Sequence, residues 1–499
     1  MSPSPSSASV QERAPLLPKA PDTAAIDVEV AIRADKQDGE HAAPVSVLRE
    51  LSELLALAYP VLLTTALEFL PGFTSTVLAG HIDSPLKKEY VDAATMSTMF
   101  TNITAYSIGF GLTSALDTLC SQAYGAKRFD KIGVYAQAGV LVLGACLAPI
   151  ALVNWHMAPV LSWFGQDAVV SELAQVYSRY NLIGIPFVFL YDVLRRAMQA
   201  QNVMAPLVAI AVASNVLQIA AGYWLAYRTS WGFAGIALSR SLGNMALPLL
   251  VGLYLRARPA FLRQWWAGWD LSAALEHVGL FLRLGVPGML MLVMEWWAFE
   301  LLSLMAGVLP DSILAVSAHA VQMSVVSLVY MVFLGLSVAT NIRVGNHLGA
   351  NEPERARVTA TLGFGVVGVV GALLAAAVFV WRHAISALFV DDAETIAMAG
   401  HVLLVWAPFE VSEALNCVVQ GVFRGVGKQN TAARTNAITY YGVGVPLAYV
   451  LAFRLGWGVE GLWVGLGLGV TASFLSLWLV LRRWSWVELA RDAEHRTAE

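Results

Sequence analysis

The sequence predicts an all-α membrane protein of twelve transmembrane helices in two pseudo-symmetric six-helix bundles, and three observations carry that prediction. Of 499 residues, 57% are hydrophobic and 13% charged, where soluble domains carry about 25% charged residues. Basic residues collect on alternate connections between apolar stretches, and the second half of the chain repeats features of the first. The net charge of -4 gives no reason to expect a nucleic-acid partner. Cys120, Cys146 and Cys417 form neither a disulfide framework nor a metal-ligand spacing, so they read as small apolar residues and no metal or cofactor is expected.

Taken in order, residues 1–45 hold Pro3, Pro5, Pro15, Pro18, Pro21 and Pro44 and no long apolar run, the composition of a disordered tail. No signal-peptide core is present there, which keeps the tail cytoplasmic. Within it, Glu12-Arg13-Ala14-Pro15-Leu16-Leu17 is similar to an acidic dileucine sorting signal. Apolar stretches near 51–80, 93–118, 132–154, 172–198, 203–227 and 231–255 make six spans, and an N-lobe over 46–255. A cytoplasmic loop at 256–277 leads to six more, near 278–308, 313–341, 357–381, 395–422, 430–454 and 457–481, a C-lobe over 278–483. Residues 484–499 are left as a cytoplasmic tail. Each span approaches the roughly 20 residues needed to cross about 30 Å of hydrocarbon. The connections assigned to the inner face hold sixteen basic residues, among them Lys127, Arg128, Arg195, Arg196, Arg343, Arg424 and Arg482, against Lys87, Lys88, Arg228, Arg382 and Arg454 outside. That bias places both termini in the cytoplasm.

The repeat has two parts. Gly111-Leu112-Thr113-Ser114-Ala115 with Gly125-Ala126 returns 224 residues later as Gly335-Leu336-Ser337-Val338-Ala339 with Gly349-Ala350. Tyr223, Trp231-Gly232, Gly235 and Gly243 return 226 residues later as Tyr449, Trp457-Gly458, Gly461 and Gly469. Units with an even number of spans share an orientation, related by an axis along the membrane normal.

Ionisable groups inside a bilayer cost several kcal/mol, so each needs a partner or a function. Span seven carries Glu295 and Glu300, five residues and therefore about 140° apart on a helix. The expectation is that they do not share a face, one looking into a cavity and the other into the packed lobe, unless a break at Pro287-Gly288 alters the local winding. Span ten carries a stripe of Glu410, Glu413, Asn416 or Cys417, Gln420 and Arg424, which must face protein or water. His319, Gln322 and Tyr330 on span eight, with Asn436 and Tyr440 on span eleven, are placed to bond the carboxylates. In the first half, Glu68 precedes a break at Pro71-Gly72, Asp192 and Arg196 form an i,i+4 structural pair, and Asp117 reads as a loop anchor. His319 suits either a satisfied core histidine or a proton participant, and Trp296 either packing or a cation-π contact.

These pieces resemble the multidrug and toxic compound extrusion (MATE) family, in its eukaryotic branch, over about residues 50–483. The motifs are Glu295-Trp296-Trp297-Ala298-Phe299-Glu300, Glu413-Ala414-Leu415 with Gly421-Val422-Phe423-Arg424-Gly425, Ala79-Gly80-His81, Asp117-Thr118-Leu119-Cys120-Ser121-Gln122-Ala123-Tyr124-Gly125, and Arg343-Val344-Gly345-Asn346-His347-Leu348-Gly349-Ala350. The resemblance implies two bundles forming a V, alternating access, and secondary antiport. It also implies that Glu295, Glu300 and Glu413 form the coupling and substrate cluster, with protons as the expected coupling ion and sodium as the alternative. Prokaryotic relatives carry an aspartate on span one where Ser75 stands here, which leaves open whether Glu68 replaces it. The expected partners are bulky organic solutes, cationic ones first, and the bilayer. The expected state is a monomer in the plasma membrane or a vacuolar or other endomembrane.

Two other readings compete. A lipid-linked sugar flippase of the same superfamily would place cations in its cavity for pyrophosphate, whereas the intramembrane charges here are mainly acidic. A membrane-embedded enzyme would need a nucleophile with its base or a metal cluster, and no such pattern lies at membrane depth.

Overall fold

The computed structural model describes residues 46–310 and 312–498; the stretch expected as an N-terminal tail, with its Glu12 to Leu17 motif, lies outside them. The described residues fold as helices alone. The first half runs α1 (Val47–Ala79), α2 (Lys87–Thr101), a π-helical turn (Asn102–Tyr106), α3 (Ser107–Gly125), α4 (Phe129–Trp155), α5 (Met157–Trp163), α6 (Ala168–Leu182), α7 (Ile185–Ala200), α8 (Ala205–Tyr227) and α9 (Gly232–Ala257). After the short α10 (Pro259–Trp265), the second half runs α11 (Leu271–Ala306), α12 (Ser312–Gly349), α13 (Pro353–Ser386), α14 (Ala393–Val426), α15 (Gln429–Asn436), α16 (Val445–Tyr449), α17 (Gly458–Arg483) and α18 (Trp486–Ala498). The helix of residues 429–454 passes through π-helical segments at Ala437–Gly444 and Val450–Arg454.

Among the described residues, ten helices are long and apolar enough to cross a membrane. The other two expected spans are each divided, one by the π-helical turn between α2 and α3 and one at Ile183–Gly184 between α6 and α7, and their pieces are shorter or more polar. Aspartates start three helices: Asp167, Asp270 and Asp392 accept from the backbone N–H of Val169 (2.9 Å), Ala273 (3.0 Å) and Thr395 (2.8 Å), satisfying donors that a first turn leaves unpaired. At Asp392, in a connection outside the spans, the bonds from Thr395 hold the carboxyl below its ordinary value.

The sequence repeat is a repeat of contacts. A Cβ on Gly111 of α3 would collide with Met289 of α11, and one on Gly335 of α12 would lie 2.9 Å from Leu62 of α1. A Cβ on Gly235 would lie 2.9 Å from Leu225, and one on Gly461 would lie 2.7 Å from Ala452. After α3 and after α12 the chain turns through left-handed residues at equivalent positions, Lys127 (φ 58°) and Asn351 (φ 57°). The N-terminal parts of α1 and α11 also exchange sides: Leu54 and Ala58 pack in the second half's core, and Phe281 and Leu284 in the first half's.

At the end of the molecule rich in basic residues the halves are sealed. Gly125 abuts the Asn346 backbone and Gly349 the Gln122 backbone. Gln122 Nε2 donates to the Gly425 carbonyl (2.9 Å), and Gln429 Nε2 to the Thr118 hydroxyl (2.8 Å). The segment expected as a C-terminal tail is the helix α18, docked across this seal with Leu489, Ala490 and Ala493 buried. Its Arg496 meets Gln122, Arg128 donates to the Thr497 carbonyl (3.0 Å), and Asp492 pairs with Lys428 (2.8 Å). Gly349→Val is expected to hold the seal open, because its side chain would displace backbone rather than a flexible side chain. A cysteine at Ser121, buried against Gly345, should then be alkylated by a bulky maleimide; with Gly349 intact it should stay protected.

Candidate functional site

Span seven, α11, places its acidic residues against span ten, α14, and span eight, α12. Glu295 is buried, 5% exposed, and its Oε2 accepts from Gln420 Nε2 at 3.2 Å. Gln420 is in turn held through its Oε1 by Asn436 Nδ2 (3.2 Å), and Asn436 Oδ1 accepts from the Ser473 hydroxyl (3.0 Å). Glu295 is thus the end of a buried chain of hydrogen bonds crossing α11, α14, α15 and α17, which fixes its orientation. Glu413 is 3% exposed, and its Oε2 has no partner among the described residues.

Glu295, Glu300 and Glu413 line one cavity of about 810 Å³ of empty space, together with Tyr330 and Trp296. The expectation that Glu295 and Glu300 point to separate environments is corrected here. Glu295, Trp296, Phe299 and Glu300 all line the cavity, so α11 offers it an arc of about 140°. The helix is unbroken through Pro287, and the breadth of the arc comes from its place on the wall of an opening between two bundles. Phe69 of α1 and Asn102 and Ile103 of the π-helical turn complete the opposite wall; π-turns reposition side chains in this way at functional sites.

The remaining acidic stripe divides. Glu410 is fully buried and accepts from Trp406 Nε1 (2.9 Å). Asn416 donates to the Tyr440 hydroxyl (3.2 Å). His319 bonds the Ser303 hydroxyl (2.8 Å) and lies beside the Trp463 ring, and Gln322 is buried with no partner on either side-chain atom. None of Glu410, Asn416, Asn436, Tyr440, His319 or Gln322 is among the residues lining the acidic cavity.

Toward the basic end a second cavity opens between the halves, walled by Glu68, Asp117, Arg195, Arg196, Glu295 and Arg424. Glu68 pairs with Arg195 (2.8 Å), and Asp192, 1% exposed, accepts from Arg195, Arg196 and Thr113. Asp117, expected as a loop anchor, pairs with Arg196 and approaches Arg424 of the other half (4.0 Å). Arg195, Arg196 and Arg424, which the sequence counts with the basic residues of the inner face at the ends of spans four and ten, are helical residues facing this space. Ser75 is buried, donates to the Pro71 carbonyl (2.9 Å), and is not among the residues lining these cavities. The buried Arg240 in α9 is absent from the sequence-based candidates, although an arginine inside an apolar span is itself a signal.

Residues 60–224 and 287–450 each match the MatE family. The chain is 33% identical over 450 residues to multidrug and toxin extrusion protein 2 of Mus musculus, covering 90% of this chain and 77% of that protein. It is 35% identical over 417 residues to multidrug and toxin extrusion protein 1 of Homo sapiens, covering 84% and 72%. Among solved structures, the eukaryotic MATE transporter AtDTX14 superposes with a TM-score of 0.85 at 29% identity, over 90% of this chain and 99% of that one. The Vibrio cholerae transporter VcmN, as its D35N mutant, superposes at 0.78 with 19% identity over 89% and 99%, which speaks to the fold alone. The two family matches coincide with the two halves related by the repeat, and the chain belongs to the MatE family of multidrug and toxin extrusion transporters.

Proposed function

We propose that the protein exports organic cations in exchange for protons by alternating access, with Glu295, Glu300 and Glu413 holding cation and proton in turn. The observation that carries this reading is the lining of the acidic cavity: thirteen residues, three of them carboxylates and none Lys, Arg or His. Phe69, Trp296, Phe299 and Tyr330 add aromatic faces suited to a flat or quaternary cation. In low dielectric a carboxylate stays charged when a cation is beside it and takes a proton when that cation leaves, so the two ligands exclude each other. An inward proton gradient then drives cation outward if the loaded states interconvert and the empty charged state does not. The absence of cationic side chains from this lining weighs against a pyrophosphate-handling flippase.

The positive-inside bias supports a cytoplasmic basic face, and with it an outward-facing state. Glu300 lies six residues from the far end of α11 at Ala306, about 9 Å at 1.5 Å per residue, which suits access from the side opposite the seal. Reporter tags at residues 20 and 495 are both expected to read cytoplasmic; one external tag would break the topology. In this reading the protein works as a monomer without a cofactor, in the plasma membrane or an endomembrane. The test is uptake of tetraethylammonium into vesicles carrying the purified protein. Accumulation against its gradient with acidic interiors, unaffected by a sodium gradient, is expected; accumulation driven by sodium alone would overturn proton coupling.

A further inference from the structure

A further cavity of about 940 Å³ of empty space, lined by residues of the first half together with Trp296 of α11, shares Phe69, Asn102 and Trp296 with the acidic cavity. Those three residues line both spaces, so the two cavities adjoin. The wall of the larger one holds Arg240 and, one helical turn on, Asn244, each 6% exposed. Arg240 donates to the Thr98 hydroxyl (2.9 Å), but among the described residues no carboxylate lies within 4.0 Å of it. The Asn244 amide nitrogen has no acceptor among the described residues.

Charge counting isolates Arg240 further. Glu68, Asp117 and Asp192 face Arg195, Arg196 and Arg424, three carboxylates tied to three guanidinium groups by ion pairs. Glu68 and Asp192 are the carboxylates that line Arg240's cavity, and both are held by Arg195. Arg240 is therefore a positive charge at membrane depth that no described carboxylate pairs, in contact with the neutral hydroxyl groups of Thr98, Tyr106 and Tyr177 and beside an unsatisfied amide. A buried charge without a counter-charge is among the most expensive groups a protein can carry, and an arginine in that position offers a planar fork matched to an oxyanion.

We propose that this cavity is an anion subsite in which Arg240, helped by Asn244, receives a carboxylate or similar oxyanion of a solute whose cationic group sits among Glu295, Glu300 and Glu413. The proposal rests on the export reading above and assigns to Arg240 and Asn244 the recognition of the anionic end of a zwitterionic solute. The acidic cavity reads the positive end of such a molecule, and the Arg240 cavity reads the negative end.

The test compares two dyes of one skeleton: rhodamine 110, which has a free carboxylate, and rhodamine 123, its methyl ester, which is a cation only. Binding to the purified full-length protein is read by fluorescence anisotropy. Arg240→Gln should weaken rhodamine 110 by roughly tenfold or more, the scale of a lost charge-assisted hydrogen bond, and leave rhodamine 123 within about twofold; Arg240→Lys should recover part of the loss, since it restores the charge without the fork. Equal weakening of both dyes, no change for rhodamine 110, or wild-type protein that binds rhodamine 123 and not rhodamine 110 would each overturn the subsite while leaving the export reading intact. Binding of rhodamine 110 with none of rhodamine 123 would keep the subsite and sink the cation reading. If Arg240→Gln does not fold, Asn244→Leu is read the same way, with a loss of roughly threefold or more expected for rhodamine 110 alone.

Discussion

Glu413→Gln is expected to reduce proton-driven export to the level of passive leak while the protein still folds. Glutamine keeps the shape and removes both the charge and the proton that would be exchanged. Glu413 Oε2 has no partner to lose among the described residues, so the substitution breaks no internal bond at that atom and should leave the melting temperature unchanged or raised. Cation binding should weaken by about 1.5–3 kcal/mol, roughly 10- to 150-fold, the range for hydrogen bonds to charged groups. Glu295→Gln should behave alike in transport, with some loss of stability, since Glu295 anchors the chain through Gln420 and Asn436. Glu300 is only partly buried and its variant should retain more binding. Efflux from proteoliposomes with and without a pH gradient, normalised to folded protein, checks all three. Full gradient-driven transport by each variant would remove these carboxylates from the mechanism.

Asp192→Asn should have the largest effect on folding. The side chain accepts from Arg195, Arg196 and Thr113 in a nearly sealed environment, and removing one partner of a buried ion pair costs about 3–5 kcal/mol. Thermal aggregation in detergent should show a markedly lowered midpoint or little folded protein. Adding Arg196→Gln should recover part of the loss, because one of the stranded charges goes with it. The protein that does fold should still respond to a proton gradient, which separates Asp192 from the acidic cavity. Ser75→Ala, losing one hydroxyl that donates within its own helix and accepts a long bond from Gln218 Nε2 (3.5 Å), should be close to silent in both assays.

The helices and their pairing into halves are legible in the sequence because hydropathy and glycine spacing are local signals. Gly111 and Gly335 repeat in the sequence because equivalent helices meet there at equivalent close approaches. Side-chain direction is less legible, since it depends on how much of a helix surface a cavity takes up. Glu295 and Glu300 lie on different faces by angle alone, yet both border the same opening because α11 stands on its wall. Arg195, Arg196 and Arg424 sit at the ends of spans four and ten and so count toward the basic inner face, while tertiary packing turns them inward against Asp192 and Asp117. The docking of α18 escapes a hydropathy reading because its buried face is small, built of Leu489 and two alanines, and the rest of the helix is polar.

The most direct test of cation and proton sharing one carboxylate cluster is proton movement driven by substrate alone. Proteoliposomes are loaded with a trapped pH dye at equal internal and external pH, in sodium-free buffer, and tetraethylammonium is added outside. The account predicts internal alkalinisation as protons leave against entering cation, and no signal from vesicles carrying Glu413→Gln. Cation entry with no pH change, or with a pH change that survives Glu413→Gln, would contradict it.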